Sequence, residues 1–133
     1  MLECIILGDS IAVGTHQFKP DCAAYAKGGI NTWQFNKMYK GDFFSNVVVI
    51  SLGSNDHKGV NTRKELLELR ARVTAKSKVY WILPAIKPDI QNIVREIADY
   101  NGDVIVPIKS LQPDKIHPSG RGYKQIVQDV FQK

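Results

Sequence analysis

The sequence predicts an α/β protein: a three-layer α/β/α sandwich built on a five-stranded parallel sheet. Three observations carry this. Apolar runs alternate with helical patterns along the whole chain. The runs are continuous, as strands covered on both faces require, instead of alternating with polar residues. The β-α order repeats five times, which favours crossover connections over hairpins.

Taken in order, the first run is Cys4 to Leu7, and Cys22 to Ala26 is a weaker second. Val47 to Leu52 is apolar apart from Ser51. Val79 to Leu83 is the fourth run, and Val104 to Ile108, interrupted by Pro107, is the fifth. A first helix opens near Ser10, and Thr32 to Tyr39 forms a shorter one. Leu66, Leu69 and Val73 share one helical face, with Glu65, Glu68 and Arg72 turned elsewhere. Ile90, Ile93, Val94 and Ile97 repeat that spacing. Pro88 suits the first turn of their helix, where its missing N–H has no consequence, and Asn101-Gly102 closes it with residues tolerant of positive φ. Tyr123, Ile126, Val127, Val130 and Phe131 mark the last helix. No internal repeat, linker or low-complexity segment divides the chain, so residues 1–133 are expected to form one domain.

Composition narrows the class. A chain of 133 residues with 44% apolar and 23% charged residues is an ordinary globular domain with a core of its own. The net charge of +5 is spread over scattered Lys and Arg, with no basic stretch interleaved with aromatics, so no nucleic-acid partner is expected. No apolar run is long enough to span a bilayer, and the amino terminus has no leader pattern; the expectation is a soluble protein with no integral membrane segment, cytoplasmic or in a compartment the sequence does not specify. Cys4 reads as a small buried hydrophobe, with a disulfide to Cys22 left open. His16, His57 and His117 lie far apart and no metal-type Cys spacing exists, so neither metal nor cofactor is expected.

Four short segments carry possible chemistry, each just after a predicted strand. Gly8-Asp9-Ser10 places a hydroxyl at a helix start, where free N–H groups favour a developing negative charge. Its plainer reading is an N-cap by Asp9 or Ser10. Gly28-Gly29-Ile30-Asn31-Thr32 lets backbone approach a ligand; alternatively it is a turn capped by Asn31 or Thr32. Gly53-Ser54-Asn55-Asp56 offers the Asn55 amide as an oxyanion donor, or is a turn. Asp114-Lys115-Ile116-His117 puts a carboxylate within reach of an imidazole, fixing the tautomer that leaves Nε2 free for a serine. In a parallel sheet all four converge on one edge. Together they supply a nucleophile, a base, an orienting acid and oxyanion donors, which independent turns rarely deliver.

These blocks, in this order, resemble those of the SGNH (GDSL-type) hydrolase family, and the run Asp-x-x-His-Pro followed by Gly122-Tyr123 is similar to the family's carboxyl-terminal ending. The resemblance spans nearly the whole chain. It implies a flavodoxin-like sandwich and ester hydrolysis through an acyl-enzyme. Ser10 would be nucleophile and oxyanion donor, Asp114 and His117 the other triad members, and Asn55 a further oxyanion donor. Gly29 fits the glycine donor's place better than Gly28, since Thr32 follows shortly after. The chain is short for the family, so the loops shaping a pocket must be trimmed. A shallow site favours short, acetyl-like acyl groups, on small esters or on carbohydrate. The alternative is a non-catalytic module that binds a glycan or a protein on an esterase fold. Oligomeric state is not legible.

Overall fold

The computed structural model describes residues 2–132. Five strands and five helices alternate: β1 (Leu2–Gly8), α1 (Ser10–Gln17), β2 (Ala23–Ala26), α2 (Thr32–Met38), β3 (Phe43–Ser51), α3 (Thr62–Ala71), β4 (Val73–Ile82), α4 (Pro88–Asn101), β5 (Val104–Val106) and α5 (Gly120–Phe131). All strand pairs are parallel, and the sheet runs β2-β1-β3-β4-β5. This is the flavodoxin-like order that the sequence implies.

The continuous apolar strands fold this way because successive side chains point to opposite faces and each face has its own helices to meet. Ile5 and Leu7, Val48 and Ile50, and Val79 and Trp81 pack with Phe35 of α2, Leu66 and Leu69 of α3, and Val94 and Ile97 of α4. Their neighbours Cys4, Ile6, Val49, Tyr80 and Ile82 pack on the other face with Ile11 and Ala12 of α1 and Tyr123, Ile126 and Val130 of α5. The result is three layers, with three helices on one side of the sheet and two on the other.

Several boundaries differ from the sequence reading, for identifiable reasons. Val73 belongs to β4 and not to the preceding helix. That helix tightens at Arg72, whose N–H donates to Leu69 O at 2.9 Å, and Val73 then pairs with Phe43. Val73 is buried in either setting, so apolar periodicity does not separate them. β3 begins at Phe43, four residues before the apolar run, because Phe43 and Ser45 are buried while Phe44 is exposed. Its first half is covered on one face only. β5 is just three residues long and stops before Pro107, which has no N–H to continue the ladder. Cys4 and Cys22 are joined by a disulfide, so Cys4 is buried as half of a crosslink between β1 and the segment entering β2.

The carboxyl end of β1 is the crowded point of this edge. Asp9 N–H donates to Ser51 O at 3.0 Å, drawing the turn after β1 against the end of β3. Gly8 adopts a φ of +147°, and a Cβ there would stand 1.9 Å from the same carbonyl oxygen. No other residue fits without moving backbone. The reversal of strand order lies between β1 and β3, so this is also where a crevice opens in sheets of this kind. Gly8→Ala is expected to lower unfolding free energy by about 3 kcal/mol or more, through backbone overlap and the disfavoured φ. Urea denaturation of the two proteins measures it.

Candidate active site

The turn leaving β1 divides two tasks between neighbouring residues. Asp9 is the N-cap of α1: its Oδ1 accepts from Ile11 N–H at 3.0 Å and from Ser51 Oγ at 3.2 Å. Ser10 is the first helical residue, half-buried, and its hydroxyl is left for other work. The plainer reading of this segment is therefore right for Asp9 and does not use Ser10. Ser10 Oγ lies 2.9 Å from His117 Nε2, across 107 residues of sequence.

His117 comes from the loop between β5 and α5. That loop is pinned at its base, where Ser119 N–H donates to Ser110 O and Gln112 N–H to His117 O. Ser119 also caps α5 by accepting from Gly122 N–H at 3.1 Å. Within the loop Lys115 takes a φ of +60°, turning the chain so that Asp114 Oδ1 accepts from the N–H groups of both Ile116 and His117. The second carboxylate oxygen lies 2.7 Å from His117 Nδ1. The N–H of His117, then that of Ile116, then the imidazole hold the Asp114 carboxyl well below its ordinary value, at about 2. Asp114 is thus ionised at any working pH, so the Nδ1–H tautomer donates to it and Nε2 faces the serine as an acceptor.

The two remaining segments border the same edge. Gly28 sits beside the serine: a Cβ on it would lie 3.8 Å from Ser10 Cβ. Gly29, with a φ of +80°, turns the chain toward α2 in open space. Asn31, and not Thr32, caps α2, with Gln34 completing a reciprocal capping box. Asn55 is half-buried and directs Nδ2 to Ile30 O at 3.0 Å, which spends one of its two amide hydrogens and leaves the other. The plain turn reading of that loop does not cover this cross-loop bond. His57 is exposed, and half-buried His16 bonds Cys22 O instead of the serine.

The sequence reading gives no role of their own to two residues that hold this edge together. Asp56 is buried, and its carboxylate accepts from Thr32 N–H at 2.9 Å, Thr32 Oγ1 at 2.7 Å and Thr62 Oγ1 at 2.6 Å. It thereby fixes the loop carrying Asn55 against the start of α2 and hence against the glycine loop. Lys87 donates through Nζ to Ser54 O and Asp56 O. Thr32 lies 24 residues from Asp56, and Lys87 meets two backbone carbonyls 33 and 31 residues away, relations that no local pattern flags; Thr62, 6 residues on from Asp56, is the nearer partner.

Among the described residues, no helix is long and apolar enough to cross a membrane, and no group of three or more His, Cys, Asp or Glu side chains gathers as metal ligands would. No protein-family model matches the chain, and no curated protein matches its sequence. Among solved structures the chain is similar to a protein of Bacteroides fragilis described as a candidate acylhydrolase. The two share 20% sequence identity with a TM-score of 0.64, covering 98% of this chain and 84% of that one. At that identity the likeness establishes a common fold.

Asp9 adds a pH-dependent element directly behind Ser10. Burial raises its carboxyl from 3.8 to about 6, against the opposing hydrogen bonds from Ile11 N–H and Ser51, and Oδ2 is buried with no partner among the described residues. A carboxyl raised on folding contributes stability that is complete below its unfolded value and lost as pH climbs through its folded value. Over the interval from about pH 4 to about pH 6 the loss amounts to about 3 kcal/mol. Asp9→Asn keeps the capping oxygen without the charge. Its stability relative to wild type is expected to improve as pH rises through that interval, read from urea midpoints at pH 4, 5, 6 and 8.

Proposed function

We propose that the chain is a serine ester hydrolase acting through an acyl-enzyme on Ser10. The observation that carries this reading is the continuous relay from Asp114 through His117 to Ser10, with spacings of 2.7 and 2.9 Å. These are hydrogen-bonding distances. A serine hydroxyl is a weak nucleophile until a base removes its proton, and an imidazole is a competent base once its other nitrogen is held.

The steps follow from those positions. Ser10 Oγ attacks the ester carbonyl as its proton passes to His117 Nε2. The carbonyl oxygen becomes an oxyanion, met by the Ser10 N–H, the Asn55 amide and a glycine N–H. The first N–H groups of a helix have no intrahelical partner, so the Ser10 amide is available for this role. Asp114, ionised, stabilises the imidazolium. His117 then gives the proton to the leaving alcohol, and the acyl group stays on Ser10. Water, deprotonated by the same imidazole, attacks the acyl-enzyme, and the acid departs as Ser10 regains its proton. Gly29 is the assigned glycine donor, by its place in the family pattern. Gly28, the one beside Ser10, is the alternative.

An open site supports a short acyl group. The side chains of His117 and Asp114 are 35% and 42% exposed, which leaves no enclosed tunnel about them for a long chain. A cleft of about 350 Å³ runs beside the glycine loop, lined by Lys27, Ile30, Trp33, Gln34, Lys37 and Met38. Trp33 is half exposed there, and its ring offers a flat apolar surface of the kind a sugar ring stacks upon. This favours acetylated carbohydrate as substrate.

Hydrolysis of p-nitrophenyl acetate near pH 8 tests the reaction. Ser10→Ala and His117→Ala are each expected to reduce kcat/KM by at least about a thousandfold. Wild-type protein without turnover, and without labelling of Ser10 by a fluorophosphonate, would instead mean a binding module. Trp33→Ala tests the substrate: KM for an acetylated polysaccharide is expected to rise far more than KM for p-nitrophenyl acetate. Equal effects on both would remove the stacking role. Octanoyl esters turned over faster than acetyl esters would contradict the short-acyl reading.

A further inference from the structure

Four of the five helices begin on a side-chain cap, from Asp9, Asn31, Asn61 and Ser119. The exception is α4. Its N-cap is Lys87, which makes no side-chain cap bond and adopts a φ of +64°. A lysine gains nothing locally from that left-handed backbone, where glycine or asparagine is the common occupant. The conformation sends the side chain away from its own helix. Nζ reaches across to the loop after β3 and donates to Ser54 O at 2.8 Å and to Asp56 O at 2.6 Å. Its ammonium pairs with no carboxylate among the described residues.

The two carbonyls it holds are those on either side of Asn55. A charged donor binding two carbonyls makes the stronger class of hydrogen bond, and here it holds the peptide plane that enters Asn55 and the one that leaves Asp56. The Asn55 side chain is held at its far end by Ile30 O. Lys87 restrains the backbone before and after Asn55, which narrows the directions open to the free amide hydrogen. Donors aimed in advance at a developing charge are the ones that accelerate a reaction.

We propose that Lys87 is a positioning residue that acts through Asn55, clamping the Ser54–Asp56 loop so that the amide is preset toward the oxyanion. The proposal rests on the reading of Asn55 as an oxyanion donor, and its effect appears in kcat and not in substrate binding.

A double-mutant cycle on Lys87→Met and Asn55→Ala tests it. Lys87→Met is expected to lower kcat about tenfold to a hundredfold with little change in KM. Lys87→Arg, which can also span two carbonyls, should recover most of the loss. In the Asn55→Ala background, Lys87→Met should cost nothing further. Lys87→Gly separates clamp from conformation: it suits the positive φ yet should lose as much kcat as the methionine variant. Additive losses in the cycle, or a fully active glycine variant, would overturn the proposal. A readout without turnover keeps the two readings apart. Amide hydrogen exchange over residues 53–56 is expected to quicken in Lys87→Met, beyond any change in global stability. If wild-type protein hydrolyses no ester, the esterase reading fails and this exchange decides the clamp, with unchanged exchange overturning it.

Discussion

A parallel sheet brings the carboxyl end of every strand, and the start of every following helix, to one edge. Each helix arrives there with N–H groups that its own turns cannot satisfy. This constraint shapes the whole upper edge of the protein. Asp9, Asn31, Asn61 and Ser119 answer it with side-chain oxygens, and three of them, Asp9, Asn31 and Ser119, lie within two residues of Ser10, Gly29 and His117. Because Asp9 takes the cap, the next hydroxyl, that of Ser10, is free to face His117. Because Asn31 takes the cap of α2, the hydroxyl of Thr32 is free to reach Asp56. Capping and chemistry are assigned to adjacent positions, and the separation comes from the local geometry of each helix start.

The loops at this edge are tied to one another by side-chain hydrogen bonds. Asp56 draws together the starts of α2 and α3, Asn55 bonds the glycine loop, and the Lys87 ammonium bridges from α4. These bonds form a polar layer above the apolar packing of Leu52 and Leu83. Such a layer holds its members to within a hydrogen-bond length of one another, a tolerance that packing alone does not give. Ser10 and His117 belong to a second set of ties, through Asp114 and the pinned loop before α5. The two sets approach where Gly28 passes the serine and where the turn after β1 bonds the end of β3. The candidate site is thus carried by two groups of loops, one holding Ser10, Asp114 and His117 and the other the glycine segment and Asn55.

Features encoded within a few residues were legible in the sequence. Continuous apolar runs gave the parallel sheet; Pro88 and Gly102 gave the ends of α4; the spacing of Asp114 and His117 gave their contact. Features that depend on distant partners were not. Asp56 reads as one more turn residue until Thr32 and Thr62 are seen around it, and Lys87 as one more surface cation until the carbonyls of Ser54 and Asp56 are in view. Val73 and Phe43 were misjudged for a related reason. Each is apolar and buried in more than one secondary structure, and only their pairing with each other decides between helix end and strand start. The pairing of Cys4 with Cys22 likewise needed the approach of β1 to the segment entering β2, a relation that spacing does not encode.

The relay between Ser10 and His117 joins the first helix to the last loop, across 107 residues. Ser10 follows β1 and His117 follows β5, so the serine is synthesised before the imidazole it meets. A growing polypeptide would hold its serine, its capped helix and its first strand pair long before it held a base. Until then the hydroxyl has no imidazole beside it. It gains its partner only when β5 has joined the sheet and α5 has closed over β1. Completion of the fold is thus what assembles the relay, and a molecule without β5 and the loop after it would hold Ser10 with no imidazole beside it.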